Sequence, residues 1–140
     1  MNIAIVGATG NVGRKTLEVL EKKELEIDNL YLVASSRSAG IKIKFRGKEY
    51  EVEELDSFDF SKAKIIFFAA GGKISEKFAE KASKNSLVID NSSFFRMDPD
   101  VPLIVPQVNP EAIKDMRKNI IANPNCSTAQ LVIALKPLHD

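Results

Sequence analysis

The stretch Ile3-Ala4-Ile5-Val6-Gly7-Ala8-Thr9-Gly10-Asn11-Val12-Gly13 decides how the rest of the chain is read. Ile3 to Val6 is an unbroken apolar run, the pattern of a strand buried on both faces. The residues after it predict an amphipathic helix, with Val12, Thr16, Leu17 and Leu20 on one side and Arg14, Lys15 and Glu18 on the other. Gly7, Gly10 and Gly13 stand at the junction. Glycine at such a turn accepts positive φ, lets a ligand approach bare backbone, and lets the helix pack close to the strand. The helix start then presents unpaired N–H groups and a partial positive charge. These are the requirements of a pyrophosphate, so the turn is a candidate dinucleotide seat. The spacing is GxxGxxG rather than GxGxxG, and glycine turns also occur for steric reasons alone. Its place after a first strand gives it weight.

Outward from this turn the chain alternates short apolar runs with amphipathic stretches, as a parallel sheet covered by helices does. Strands are expected at Leu30–Ala34, Ile65–Phe68, Leu87–Ile89, Leu103–Val105 and Ile120–Ala122. A helix should carry Ile74, Phe78, Ala79 and Ala82 inward, and a last helix should run from Ser127 to Leu135, ended near Pro137. Asn109-Pro110-Glu111 has the order of a cap, a first-turn proline and an acid matched to the dipole, so a helix is expected there too. Ile41, Ile43 and Phe45, then Tyr50 and Val52, alternate with polar residues about Arg46-Gly47-Lys48, the pattern of an antiparallel hairpin. The expected fold is α/β, a doubly wound Rossmann-type sheet, mostly parallel, with a small hairpin insertion, in one domain over residues 1–140.

Composition excludes several classes. With 20 Lys+Arg against 19 Asp+Glu, the formal net charge of +1 lacks the footprint of a nucleic-acid binder. The apolar run Ile65–Ala70 is far short of the ~20 residues of a membrane helix. One cysteine excludes an internal disulfide framework, and no cluster with metal-ligand spacing is present. Met1 leads directly into the first strand without a basic leader, so a soluble cytoplasmic protein is expected.

A binder of the unphosphorylated dinucleotide usually carries an acid about 20 residues beyond the glycine turn, for the ribose 2′-hydroxyl. Here the second strand ends in Ser35-Ser36-Arg37-Ser38, with no acid in the segment Ala34–Gly40. Hydroxyls and a guanidinium suit a 2′-phosphate, which points to NADP. Read alone, the same segment is a solvated loop with a surface arginine. Asn91-Ser92-Ser93-Phe94-Phe95-Arg96 is small and polar up to one arginine, a plausible anion seat beyond a strand. Asn123-Pro124-Asn125-Cys126-Ser127-Thr128 delivers a cysteine to a helix start, where the dipole favours the nucleophilic thiolate. Single cysteines are more often inert small hydrophobes, but polar neighbours are poor company for a core residue. His139, the one histidine, lies 13 residues past Cys126. At 1.5 Å per helical residue that is about 20 Å, too far for a catalytic base.

Taken in order, GATGNVG (7–13), SSRSAG (35–40), AAGG (69–72), NSSFFR (91–96), VPQVN (105–109) and NPNCST (123–128) resemble the aspartate-semialdehyde dehydrogenase family across the whole chain. The resemblance implies reductive dephosphorylation of aspartyl phosphate to aspartate semialdehyde, at the branch toward lysine, methionine and threonine. Cys126 would form an acyl-thioester that the reduced dinucleotide reduces, Asn125 would help position it, and Arg96 would hold the leaving phosphate. Thr9, Gly10, Asn11 and Val12 would meet the pyrophosphate, Arg37 and Ser38 the 2′-phosphate, and Gly71 and Gly72 would admit the nicotinamide side. The family pattern further implies a homodimer, with a second catalytic and dimerisation domain that supplies the base and is absent from these 140 residues.

Two departures stand out. Gln107 replaces the acid of the usual VPEVN, and the chain is much shorter than members of that family. Among rivals, N-acetyl-γ-glutamyl-phosphate reductase runs the same chemistry on a longer substrate, but its usual NPGC followed by an aromatic fits Asn125 and Ser127 poorly. A sugar-nucleotide epimerase also opens on GATGxxG, yet needs Tyr-x-x-x-Lys, and here Tyr31 is followed by Ser35 and Tyr50 by Glu54. A nucleotide-binding module without catalysis is the third alternative.

Overall fold

The structure is a computed structural model and describes residues 1–139. In chain order it contains β1 (Asn2–Val6), α1 (Asn11–Lys22), β2 (Asn29–Ala34), β3 (Lys42–Phe45), β4 (Lys48–Glu54), β5 (Ile65–Phe68), α2 (Gly72–Ser83), β6 (Leu87–Asp90), β7 (Ile120–Ala122) and α3 (Cys126–His139). One sheet holds every strand in the order β3-β4-β2-β1-β5-β6-β7. All neighbours are parallel except β3 and β4. This is the doubly wound Rossmann-type sheet the apolar runs point to.

The hairpin is present, and it extends the sheet rather than standing apart from it, because β4 pairs in parallel with β2. Its turn, Arg46-Gly47, has φ of 48° and 78°, the two positive values of a tight hairpin whose twist matches its strands. Arg46 has a second role that its sequence context hides. Its guanidinium donates to the carbonyls of Leu20 and Lys23, satisfying acceptors at the end of α1, and to that of Leu25 in the loop beyond.

Alternate residues along the strands build two cores. On one face Ala4, Val6, Val33, Ile66, Phe68, Val88, Ile120 and Ala122 pack with Phe78, Ala79 and Ala82 of α2 and with Phe58 and Phe60. On the other, Ile3, Ile5, Leu30 and Leu32 pack beneath Leu17 and Leu20 of α1. Phe67 and Ile89, on that second face, are only half-buried and border an apolar trough of about 550 Å³ that Val12, Thr16 and Val19 also line.

Four local expectations need correction. Val12 is not a core residue of α1; it is 51% exposed. The buried stripe is Gly13, Leu17 and Leu20, because the helix turns its bare glycine toward the strand. Leu103–Val105 forms no strand, only a single parallel bridge from Leu103 to Ala122. Pro102 and Pro106 bracket it, and neither has an N–H to extend a ladder. A helix does start at Pro110 behind Asn109, whose carbonyl accepts from Ala112 N, but the Asn109 side chain does not cap it. That side chain accepts from Val105 N and donates to Leu103 O, and the segment behind it, Pro110–Asp115, is 3-10 with no buried residue to anchor a longer helix. Finally, α3 begins at Cys126 and runs through Pro137 to His139. So near the end of a helix, a proline removes one donor without stopping the chain.

Candidate functional site

The winding reverses between β1 and β5: the chain first travels outward through β2 and β4, then returns to β5 on the other side of β1. Ligands of open α/β sheets bind in the crevice beyond the carboxyl ends of the strands at such a point. The glycine turn follows β1 here, and the Ala69–Gly72 segment follows β5. They touch. A Cβ on Gly7, whose φ is +84°, would lie 2.6 Å from the Ala69 carbonyl oxygen. A Cβ on Gly13 would lie 2.2 Å from the Gly7 carbonyl oxygen and 2.8 Å from Ala8 Cα. Gly7 N and Ala8 N both donate to Val33 O, at 2.8 and 3.2 Å, and Ala69 N donates to Val6 O at 2.8 Å. The turn is therefore clamped between β2 and β5.

Neither α1 nor α2 carries a side-chain cap, so both helix starts keep N–H groups open toward the crevice. Gly71, at φ +87°, brings the chain into α2 through a conformation other residues resist. Ser35 precedes a single 3-10 turn, Ser36–Ser38, and Thr9 Oγ1 donates to Ser38 Oγ at 3.3 Å. That contact joins the glycine turn to the hydroxyl-rich segment. Arg37 is exposed and makes no hydrogen bond or ion pair among the described residues. Its guanidinium is available to an anion.

The second half of the site grows from β6 and β7. Arg96 is half-buried; its Nε donates to Asn123 O at 3.0 Å and its Nη2 to Asn91 O at 3.3 Å. An arginine has five N–H donors, so this oriented head keeps donors for a ligand. Asn123 Nδ2 donates to Asn91 Oδ1 at 2.8 Å, which ties the arginine loop to the cysteine loop. The loop's far end is pinned by Asp98, which accepts from Asp100 N at 2.9 Å and Lys118 Nζ at 3.0 Å. The Asp100 amide and the Lys118 ammonium hold the Asp98 carboxyl below the usual carboxylate range. Asp98 and Glu80 together hold Lys118 above its own.

Cys126 is exposed at the first position of α3. Asn125 caps that helix: its Oδ1 accepts from Ser127 N at 3.0 Å and its carbonyl from Ala129 N at 2.9 Å. Asn125 therefore holds the helix start as well as preceding the cysteine in the chain. The two halves meet where Gly72 faces Phe94: a Cβ there would sit 3.9 Å from Phe94 Cβ. The glycine turn, the Ala69–Gly72 segment, the arginine loop and the cysteine loop thus form one connected rim. His139 stands at the opposite end of α3 from Cys126. Among the described residues no group of three or more His, Cys, Asp or Glu could hold a metal.

Residues 2–116 match the family described as semialdehyde dehydrogenase, NAD binding domain. The chain belongs to that family. Aspartate-semialdehyde dehydrogenase of Shewanella violacea is 53% identical over 141 aligned residues, covering 99% of this chain and 42% of the relative. The crystal structure of aspartate semialdehyde dehydrogenase II of Vibrio cholerae, complexed with ASA, superposes with a TM-score of 0.96 at 52% identity, over 99% of this chain and 46% of that one. The Candida albicans enzyme solved with NADP superposes at 0.76 with 34% identity, over 98% of this chain and 46% of that one. The chain thus spans less than half the length of these family members. It is a nicotinamide-dinucleotide-binding domain. Asn91 and Asn123 open the two motifs read from the sequence, but their bond to each other and to Arg96 is not legible there; Asp90 lies outside those motifs, and its one signal is an acid closing the apolar run Leu87–Ile89.

Proposed function

We propose that this chain is the NADP-binding half of an aspartate-semialdehyde dehydrogenase, working in the cytoplasm on aspartyl phosphate, aspartate semialdehyde and inorganic phosphate. The observation that carries the reading is the single rim on which the glycine turn, an arginine with no partner among the described residues next to the Ser38 that Thr9 bonds, an oriented arginine and an exposed cysteine all stand. The turn suits a dinucleotide, since Gly7 and Gly13, where any Cβ would collide with the chain's own backbone, let it fold tightly against β5 and bring the start of α1 close, the geometry a pyrophosphate seat needs. Thr9–Val12 would hold the pyrophosphate, Arg37 with Ser35, Ser36 and Ser38 the 2′-phosphate, and Gly71 and Gly72 the nicotinamide side. When bound, the reduced dinucleotide supplies hydride. Cys126 Sγ attacks the acyl carbon of aspartyl phosphate, the carbon–oxygen bond to phosphate breaks, and the phosphate leaves with the electron pair against Arg96. On this reading the base, the remaining substrate contacts and a homodimer interface would come from outside this chain.

Removal of the Arg37 guanidinium tests the cofactor assignment. A charge-assisted contact to phosphate is worth about 1.5–3 kcal/mol, so Arg37→Ala should weaken NADPH by roughly 10- to 150-fold and NADH hardly at all. Calorimetric titration with both dinucleotides checks it, and equal losses would sink the assignment. Arg96→Ala, in a protein that includes the second portion, should raise the apparent constant for inorganic phosphate by a similar factor and leave that for the dinucleotide unchanged. Steady-state kinetics at varied phosphate distinguish this from a residue that merely packs its loop.

A further inference from the structure

Asp90 is fully buried, yet nothing in the chemistry above uses it. It ends β6, between Phe68 of β5 and Ala122 of β7, with its side chain on the α2 face of the sheet. Its Oδ1 accepts from Ser75 Oγ at 2.6 Å and from Ser92 N at 3.1 Å; its Oδ2 accepts from Ser92 Oγ at 2.7 Å. Ser75 lies in the first turn of α2, the helix that Gly71 and Gly72 introduce. Ser92 opens the arginine loop, and its Oγ in turn accepts from Phe94 N at 3.1 Å. The Asp90 carbonyl accepts from Asn123 N at 2.8 Å, the residue whose own carbonyl receives Arg96 Nε. One residue is therefore bonded to the helix behind the crevice, to the start of the arginine loop and to the start of the cysteine loop.

A buried carboxyl is tolerated only where donors satisfy it, and an apolar residue would pack in this core without that demand. No cation stands among its bonded partners; all three contacts come from neutral groups whose position it sets. We infer that Asp90 is a positioning residue, fixing the Arg96 loop against the first turn of α2 so that the guanidinium faces the crevice in one register. This rests on the assignment of Arg96 to the substrate's phosphate.

The test is hydrogen exchange of the Arg96 Nε–H, followed by NMR on this chain. In Asp90→Ala that exchange should quicken at least tenfold, while the amides of Ala4 and Val6 stay as protected as before. Asp90→Asn keeps a carbonyl for Ser75 and Ser92 N and should restore most of the protection. Should the alanine variant fail to fold, Ser92→Ala removes only the bond to Oδ2 and the cap on Phe94, and should quicken the same exchange severalfold. Unchanged Arg96 exchange, or an equal loss at Ala4 and Val6, overturns the positioning role. Inorganic phosphate separates the two claims: a wild-type Arg96 signal indifferent to phosphate sinks the phosphate assignment, whereas one indifferent to the substitutions sinks the positioning.

Discussion

Cys126→Ser, in a protein that joins this chain to the portion its relatives carry beyond it, is expected to lower turnover by about 10⁴-fold or more and to leave dinucleotide binding unchanged. The hydroxyl copies the thiol's shape, but it is a far weaker nucleophile and needs an adjacent base to activate it. Among the described residues His139 is not placed to do so, since Cys126 stands at one end of α3 and His139 at the other, about 20 Å apart along the helix. A base supplied from the remaining portion would have a hydroxyl rather than a thiol to deprotonate. The same geometry gives the wild-type chain by itself an expected outcome, an accessible thiol and no phosphate-dependent reduction of the dinucleotide with aspartate semialdehyde. Turnover by the chain alone, lost in Cys126→Ser, would place a base within these residues.

The second large effect is on folding. Gly13→Ala puts a methyl carbon 2.2 Å from the Gly7 carbonyl oxygen and 2.8 Å from Ala8 Cα, both of them backbone atoms that no rotamer can move. Either α1 lifts from β1, uncovering Ile3, Ile5, Leu17 and Leu20, or the glycine turn distorts and loses its bonds to Val33 O. Overpacking of this kind costs about 3 kcal/mol or more, which in a chain of this size lowers the melting temperature by roughly 10 °C. Gly47→Ala is a useful contrast, since its Cβ would meet nothing within 4 Å and only the strain of φ +78° remains. Thermal unfolding of the two variants side by side decides it. Equal, small losses would show that α1 can shift to accept a side chain.

The sheet was legible because its strands are written twice. Ile3–Val6 and Ile65–Phe68 are apolar on both faces, and the glycine turn fixes which strand comes first. The hairpin was legible from strict alternation about Arg46-Gly47. What failed were features that depend on side chains finding distant partners. Val12 sits at a helical core spacing, but the absence of a side chain on Gly13 turns that helix so that Val12 lines the trough instead. Asn109 has the local form of a cap, yet its amide is better used closing the loop at Leu103 and Val105. The candidate site was legible in its ends, the cradle and the cysteine, because glycine and cysteine carry their chemistry in their own atoms. Its middle was not. Asn91, Asn123 and Asp90 matter through bonds that reach as far as 33 positions along the chain, from Asn123 N to Asp90 O, which no local pattern records.

The most direct measurement is the map of NADP on this chain by amide chemical shifts. The expected result is that Thr9 to Val12, Ser36 to Ser38, and Gly71 with Gly72 shift together as the cofactor saturates, the three segments the fold brings to one crevice. With NAD at saturation the first and last sets should move and Ser36 to Ser38 should not, because only the 2′-phosphate reaches them. Shifts confined to Thr16, Val19, Phe67 and Ile89 in the trough, or identical responses at Arg37 to both dinucleotides, would contradict the assignment of this rim to NADP.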